Sequence, residues 1–319
     1  MFRERRSGKR PLDNAFLIPK EFVQQPEAGA RIWSPAESLA YTSWLARHHY
    51  ENFPVVSFLL PKRLHQDFYN VYSFCRWADD LGDEIGDATE SPRLLAWWRE
   101  QLDALYAGAA ATHPVFVALA GTVERHHLPR EPFADLIAAF EQDQRVSRYR
   151  NLDELLSYCR YSANPVGRLV LYLCGYSDPE RQRLSDATCT GLQLANFWQD
   201  VAVDWKKDRV YIPLDALEKH GASAGDIRRG EASPGFRAAL EEMVGVAREC
   251  FRTGAPLAGM VDRRLALDLD LFNRGGMRVL DKIEQQGFDV LSRRPVVGKL
   301  DRALLLLSSL ARVGVRRAS

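Results

Sequence analysis

Residues 193 to 204 read Gln-Leu-Ala-Asn-Phe-Trp-Gln-Asp-Val-Ala-Val-Asp, and the polar side chains Asn196, Asp200 and Asp204 recur there at intervals of four. A helix turns once every 3.6 residues, so this spacing lines three oxygen ligands along one face. Leu192, Leu194, Ala195, Phe197, Trp198, Val201, Ala202 and Val203 fill nearly every other side, which predicts a helix buried in the fold. Carboxylates buried without partners cost several kcal/mol each, so Asp200 and Asp204 require a cation or Arg and Lys partners. Two carboxylates and an amide offer only oxygen. That set suits Mg²⁺, which keeps several waters and completes its octahedron with phosphate oxygens, so the implied substrate is a diphosphate.

Working outward, the three- and four-residue period continues through Leu184, Ala187, Gly191, Leu192 and Ala195, and recurs in Leu152, Leu155, Leu156 and Cys159. Helix starts are written just as locally. Ser34-Pro35-Ala36-Glu37 combines an N-cap hydroxyl, a proline at the first helical position and a capping-box glutamate. Ser91-Pro92 opens a helix that Gly108 closes, and Asn151 with Glu154, Ser177 with Glu180, and Ser233-Pro234 open others. Only Arg209-Val-Tyr-Ile-Pro213 alternates like a strand, and it is short and ends in proline. The class is all-α, with about ten helices on these start signals. No low-complexity linker or sequence repeat divides residues 34–319, which predicts a single helical domain preceded by an irregular basic arm over residues 1–33.

A second acidic segment runs Phe74-Cys-Arg-Trp-Ala-Asp-Asp-Leu-Gly-Asp-Glu84. Asp79 and Asp83 are four apart, as are Asp80 and Glu84, so two carboxylate rows sit side by side near a helix C-terminus, where the helix dipole opposes them. Alone, this reads equally well as a solvated acidic helix end. Beside the first segment it reads as a second cation face. Arg76 lies one turn before it, and Lys206, Lys207 and Arg209 follow the other, placed to meet phosphate oxygens.

The 319 residues carry 43 basic and 42 acidic side chains, so no global field recruits nucleic acid. Five scattered cysteines read as small buried hydrophobes in a reducing compartment, and the basic N-terminus lacks the apolar stretch of a secretory signal, which predicts a cytoplasmic protein. Neither a calcium loop at Asp268-Leu-Asp270 nor a nucleophile elbow is present, and the seven histidines show no ligand spacing beside the acidic residues.

Phe74-Cys-Arg76 with Asp79-Asp80-x-x-Asp83, and Asn196-x-x-x-Asp200-x-x-x-Asp204 with Arg209-x-Tyr211-x-Pro213, resemble the two aspartate-rich motifs of the squalene and phytoene synthase family. Tyr158-Cys159 followed by Val166-Gly167 is similar to that family's central substrate-binding helix. The resemblance spans roughly residues 40 to 295. It implies an isoprenoid synthase fold in which Asp79, Asp80, Asp83, Asn196, Asp200 and Asp204 hold Mg²⁺ against a prenyl diphosphate. Arg76, Tyr158, Val166, Gly167, Arg209 and Tyr211 would contact that substrate.

Departures from the pattern narrow the expectation. Tyr50 and Asn52 stand where condensing members carry serines, Gln199 stands for an arginine, and Ser162-Ala-Asn-Pro-Val-Gly167 replaces an alanine-glycine run. Gly275-Gly276 replaces an aromatic residue before Leu280 to Glu284. These departures resemble a branch that takes presqualene diphosphate, ionises it and captures the rearranged cation with water, for which Tyr50, Asn52 and Asn164 are water-placing candidates. Each of the three serves packing or helix capping equally well. Two rivals are a synthase condensing two prenyl diphosphates and a non-catalytic assembly factor, whose mark would be eroded acidic motifs. A chain of thirty carbons gains on the order of 20 kcal/mol on leaving water, so the substrate predicts contact with a membrane surface or direct transfer from a neighbouring enzyme of the same route. Residues 301–312 could form an amphipathic interfacial helix or a last core helix.

Overall fold

A computed structural model of the chain describes residues 16–25, 27, 31–48 and 61–298, together with positions 301, 305 and 309. Tyr50 and Asn52, and most of residues 301–312, lie outside the described residues. The chain divides into two compact units, the first drawn mainly from residues up to His127 and the second from Leu128 onward.

The first unit comprises α1 (Pro19–Val23), α2 (Pro35–His48), α3 (His65–Asp83), α4 (Glu90–Tyr106) and α5 (Pro114–His126). The segment expected to be irregular thus contains a helical turn, and its Phe22 and Trp33 are buried. The aromatic content explains this, because Phe22 sets its ring 5.1 Å from Trp77 of α3 and the charged neighbours stay outside. Ser34 and Glu37 form the expected reciprocal cap of α2. At α4 the start lies earlier than Ser91, since Asp87 accepts from the amides of Thr89 and Glu90 and leaves Ser91 buried inside the helix. A polar seam fixes the register of α2, α3 and α5. Thr42 donates to Asn70, Asn70 donates to the Ala118 carbonyl and to Thr122, and Thr122 donates to Asp67, which also receives Arg125 and His126.

The second unit comprises α6 (Glu131–Asp143), α7 (Leu152–Ser162), α8 (Asn164–Leu173), α9 (Pro179–Trp205), α10 (Leu214–Lys219), α11 (Ala224–Arg229), α12 (Pro234–Gly254) and α13 (Arg263–Gln285). The long α9 is its axis, packed by α7, α8, α12 and α13. Asp178, rather than Ser177, caps it by accepting from the Arg181 amide, and Asn151 and Ser233 cap α7 and α12 as the sequence predicts. Two close approaches require glycine. A Cβ on Gly167 of α8 would lie 2.3 Å from Ser185 Oγ of α9, and one on Gly276 of α13 would lie 2.1 Å from the ring of Phe251 on α12. The aromatic residue missing at 275–276 is therefore matched by an aromatic ring arriving from another helix. Among the described residues no strand forms; Val210 makes only an isolated bridge to Arg148. No described helix is long and apolar enough to cross a membrane.

Candidate functional site

In the first unit the acidic residues end α3, whose inner side is anchored by Phe74, Trp77 and Leu81, all fully buried. Trp77 stacks on Trp98 of α4 at 5.1 Å and donates its indole N–H to Tyr41 of α2, which fixes the rotation of α3 at its last turns. That rotation buries Asp80 and leaves Asp79 and Asp83 half-exposed and Glu84 exposed. Arg76 pairs with Asp80 at 2.6 Å and Asp79 at 3.3 Å. Burial pushes the Asp80 carboxyl up to about 6, against the opposing pull of Arg76 and with repulsion from Asp79 and Glu84 added. The arginine expected to face phosphate oxygens is here occupied in neutralising its own helix.

In the second unit α9 carries the other row. Trp198 and Leu194 face inward and are fully buried, whereas Asn196 is exposed and Val203 is 43 % exposed, so the helix is not enclosed on all sides as its composition predicts. The polar row itself accounts for the difference, because it turns one edge of α9 toward open space. Asp200 is taken by Arg294, whose Nε donates to one carboxylate oxygen and whose Nη2 donates to the other at 3.0 Å. Asp204 retains a buried oxygen, Oδ2, without a hydrogen-bond partner. Burial pushes its carboxyl up to about 7, Asp200 adds repulsion, and the nearby cations Arg209, Lys207 and Arg294 only partly offset both.

Behind this row stands an aromatic wall. Phe197 of α9 and Tyr211 stack at 3.7 Å and 8°, with Tyr158 of α7 and Tyr149 completing the group. Tyr158 donates its hydroxyl to Asp143 at 2.8 Å. Burial first, and Asp143 second, hold the Tyr149 and Tyr158 hydroxyls well above their ordinary values, so both rings stay neutral. Asn164, buried at the start of α8, accepts from Thr190 of α9 at 2.9 Å, while Val166 is 45 % exposed. Sequence reasoning missed Arg294, Asp143 and Tyr149, because each acts through a partner distant in the chain.

Among the described residues no three His, Cys, Asp or Glu side chains gather as a ready metal cage. An ion that relies on one or two carboxylates and on substrate phosphates needs no such cage, and the unpartnered Asp204 oxygen has the chemistry of a Mg²⁺ ligand. The α9 row therefore fits the ion.

Residues 46–301 match the family model described as Squalene/phytoene synthase. The chain belongs to the squalene/phytoene synthase family. A hydroxysqualene synthase of Zymomonas mobilis is 36% identical over 71% of this chain and 76% of that relative. A phytoene synthase of Thermus thermophilus is 34% identical over 82% of this chain and 88% of that relative. The crystal structure of squalene synthase HpnC from Alicyclobacillus acidocaldarius superposes with a TM-score of 0.77 at 44% identity, over 80% of this chain and 96% of that one. The chain is thus an all-α isoprenoid synthase fold of the squalene/phytoene synthase type.

Proposed function

We propose that the protein is a hydroxysqualene synthase, converting presqualene diphosphate and water to hydroxysqualene and diphosphate. The observation that carries the reading is the half-buried Asp204 carboxylate on an edge of α9, whose buried Oδ2 has no hydrogen-bond partner and which lies near the cations Arg209 and Lys207, an arrangement that suits a cation and a diphosphate. The choice of branch is supported by relatives named hydroxysqualene synthase in Rhodopseudomonas palustris, Zymomonas mobilis and Sinorhizobium fredii, at 32%, 36% and 32% identity.

Asp79, Asp80 and Asp83 on α3, and Asn196, Asp200 and Asp204 on α9, are the residues that would hold Mg²⁺. The bound ion supplies Lewis-acid stabilisation of the departing diphosphate. Lys207 and Arg209 add positive charge for the leaving oxygens, while Arg76 offsets the charge of Asp79 and Asp80. Loss of diphosphate breaks the carbon–oxygen bond and leaves a cyclopropylcarbinyl cation. The faces of Phe197, Tyr158 and Tyr211 are electron-rich surfaces that favour such a cation. After rearrangement, water adds to the allylic cation and gives up a proton, and Asn164 or the more N-terminal Tyr50 and Asn52 orient that water. No reductant enters the balance.

The apolar substrate implies that the protein works at a membrane surface or receives its substrate from a neighbouring enzyme. Co-flotation with vesicles containing anionic lipid tests the surface contact, and absence from the floated fraction would sink it. The reaction is tested by mass spectrometry of products from purified protein with Mg²⁺ and no reductant, given presqualene diphosphate or farnesyl diphosphate separately. Hydroxysqualene from the first substrate alone is the expected result. A condensation product from farnesyl diphosphate would assign the chain to the activity that the name of the Thermus relative carries. Absence of turnover with either would leave a non-catalytic role.

A further inference from the structure

Beyond α13 the chain returns across the acidic edge of α9 as a strap that is anchored firmly at both ends and lightly in the middle. At its root Arg237 donates to the Gly287 carbonyl and pairs with Asp289 at 3.1 Å, and Val290 is buried. At its far end Asp301 accepts from the Gly298 amide and pairs with Arg278 of α13 at 2.7 Å. Between these anchors Ser292, Arg293, Arg294 and Val296 are exposed, and Pro295 is the buried exception. The middle is held by two residues of the α9 row: Gln199 donates to the Pro295 carbonyl at 2.6 Å, and Asp200 accepts both arms of Arg294.

Such a bidentate pair uses one lone pair on each oxygen of Asp200, so a divalent ion either displaces an arm of the guanidinium or binds an outer lone pair directly against its positive charge. An ion and a guanidinium sharing one carboxylate also repel each other. Arg294 is 41 % exposed, so solvent screens its hold, and the incoming ion takes over the charge of Asp200, whose side chain is 13 % exposed. We propose that residues 291–297 form a cation-released strap, in which Arg294 is a positioning residue that holds Asp200 in the cation-free protein and surrenders it when a divalent ion binds. This rests on the metal-binding role proposed above for Asp200 and Asp204. It makes Arg294 the internal stand-in for the ion, and it couples ion binding to uncovering of the α9 edge.

The test uses the full-length protein, Mn²⁺ as probe with and without inorganic diphosphate, free Mn²⁺ measured by electron paramagnetic resonance, and hydrogen exchange of residues 290–298. In the unsubstituted protein Mn²⁺ should raise exchange in the strap several-fold. Arg294→Gln should exchange fast without Mn²⁺ and bind the ion several-fold more tightly. Arg294→Lys keeps the charge but loses the fork, and should fall between the two in exchange. Mn²⁺ binding that depends on Asp204 but leaves strap exchange unchanged would overturn the strap and spare the metal site. Binding insensitive to both Asp200→Asn and Asp204→Asn would overturn the metal reading and the strap together.

Discussion

The C-terminal end of α3 and the polar edge of α9 carry nearly the same acidic spacing, yet they solve the problem of buried carboxylate differently. On α3 the compensating guanidinium belongs to the same helix: Arg76 reaches Asp79 and Asp80 at three and four residues. On α9 the guanidinium of Arg294 comes from 94 residues away and serves Asp200, leaving Asp204 with a bare oxygen. Local compensation is built into one helix and cannot be removed without rebuilding it. Remote compensation sits on a separate segment, held to α9 by Gln199 and Asp200. The first acidic end therefore carries its cation on its own helix, 2.6 Å from Asp80, whereas the second borrows one for Asp200 and has none paired with Asp204 among the described residues.

The largest expected effect tests whether both ends serve the reaction despite this difference. Asp80→Asn and Asp204→Asn each remove one anionic ligand while keeping the shape of the side chain, and each should lower turnover of presqualene diphosphate with Mg²⁺ by about 100-fold or more. Circular dichroism should show both variants folded. If Asp80→Asn keeps full turnover while Asp204→Asn does not, the chemistry belongs to α9 alone and the likeness of the two segments is structural. Next in size is the stability cost of breaking the local pair. Arg76 is 15% exposed and Asp80 3%, so Arg76→Gln leaves a nearly buried carboxylate uncompensated and should cost about 3 kcal/mol by urea denaturation at neutral pH. A cost below about 1 kcal/mol would mean that α3 does not depend on its own arginine.

Much of the fold could be read directly, because helix caps and apolar periods are local facts. Ser34 with Glu37, Asn151 and Ser233 act where the sequence places them. Ser177 and Ser91 do not, because in each case a nearby aspartate caps the helix at a different residue, Asp178 through the Arg181 amide and Asp87 through the Thr89 and Glu90 amides. The acidic residues of the candidate site were legible for the same reason: their spacing is intrahelical. What surrounds them was not. Nothing near Arg294 or Asp143 in the sequence records a partner on another helix, and the fate of an aromatic residue such as Phe22 depends on a hydrophobic surface assembled from distant segments. The exposure of Asn196 shows the converse limit, since composition gives the average burial of a helix and not which edge is left open.

The anchoring of α3 can also be probed through pH. His113, at the start of α5, sets its ring edge-on 4.4 Å from Trp77, and complete burial pushes its imidazole down to about 3. The unfolded chain binds a proton on this group below about 6.5 while the folded protein does not, so stability is full above that pH. It declines as pH falls from there toward 3, with a slope contribution approaching 1.4 kcal/mol per pH unit. His113→Phe keeps a ring against Trp77 and removes the titration, so the acid side of its stability profile should be shallower by up to that slope. An unchanged slope would show that the α3 anchor is not where the acid sensitivity of the first unit resides.

The smallest effect is the most discriminating for the contrast between the two acidic segments. Arg294 and Asp200 form a pair with geometry as close as that of Arg76 and Asp80, so a count of ion pairs predicts equal losses on breaking either. Exposure decides otherwise. With 41% of Arg294 in contact with solvent its attraction is screened, and Asp200, 13% exposed against 3% for Asp80, is the more accessible carboxylate, so Arg294→Gln should change unfolding free energy by no more than about 1 kcal/mol. That value, set against the larger cost of Arg76→Gln under the same conditions, separates a pair that holds a helix together from one that occupies a carboxylate. A loss for Arg294→Gln matching that for Arg76→Gln would make the remote pair as structural as the local one, and would remove the energetic basis for its displacement by a cation.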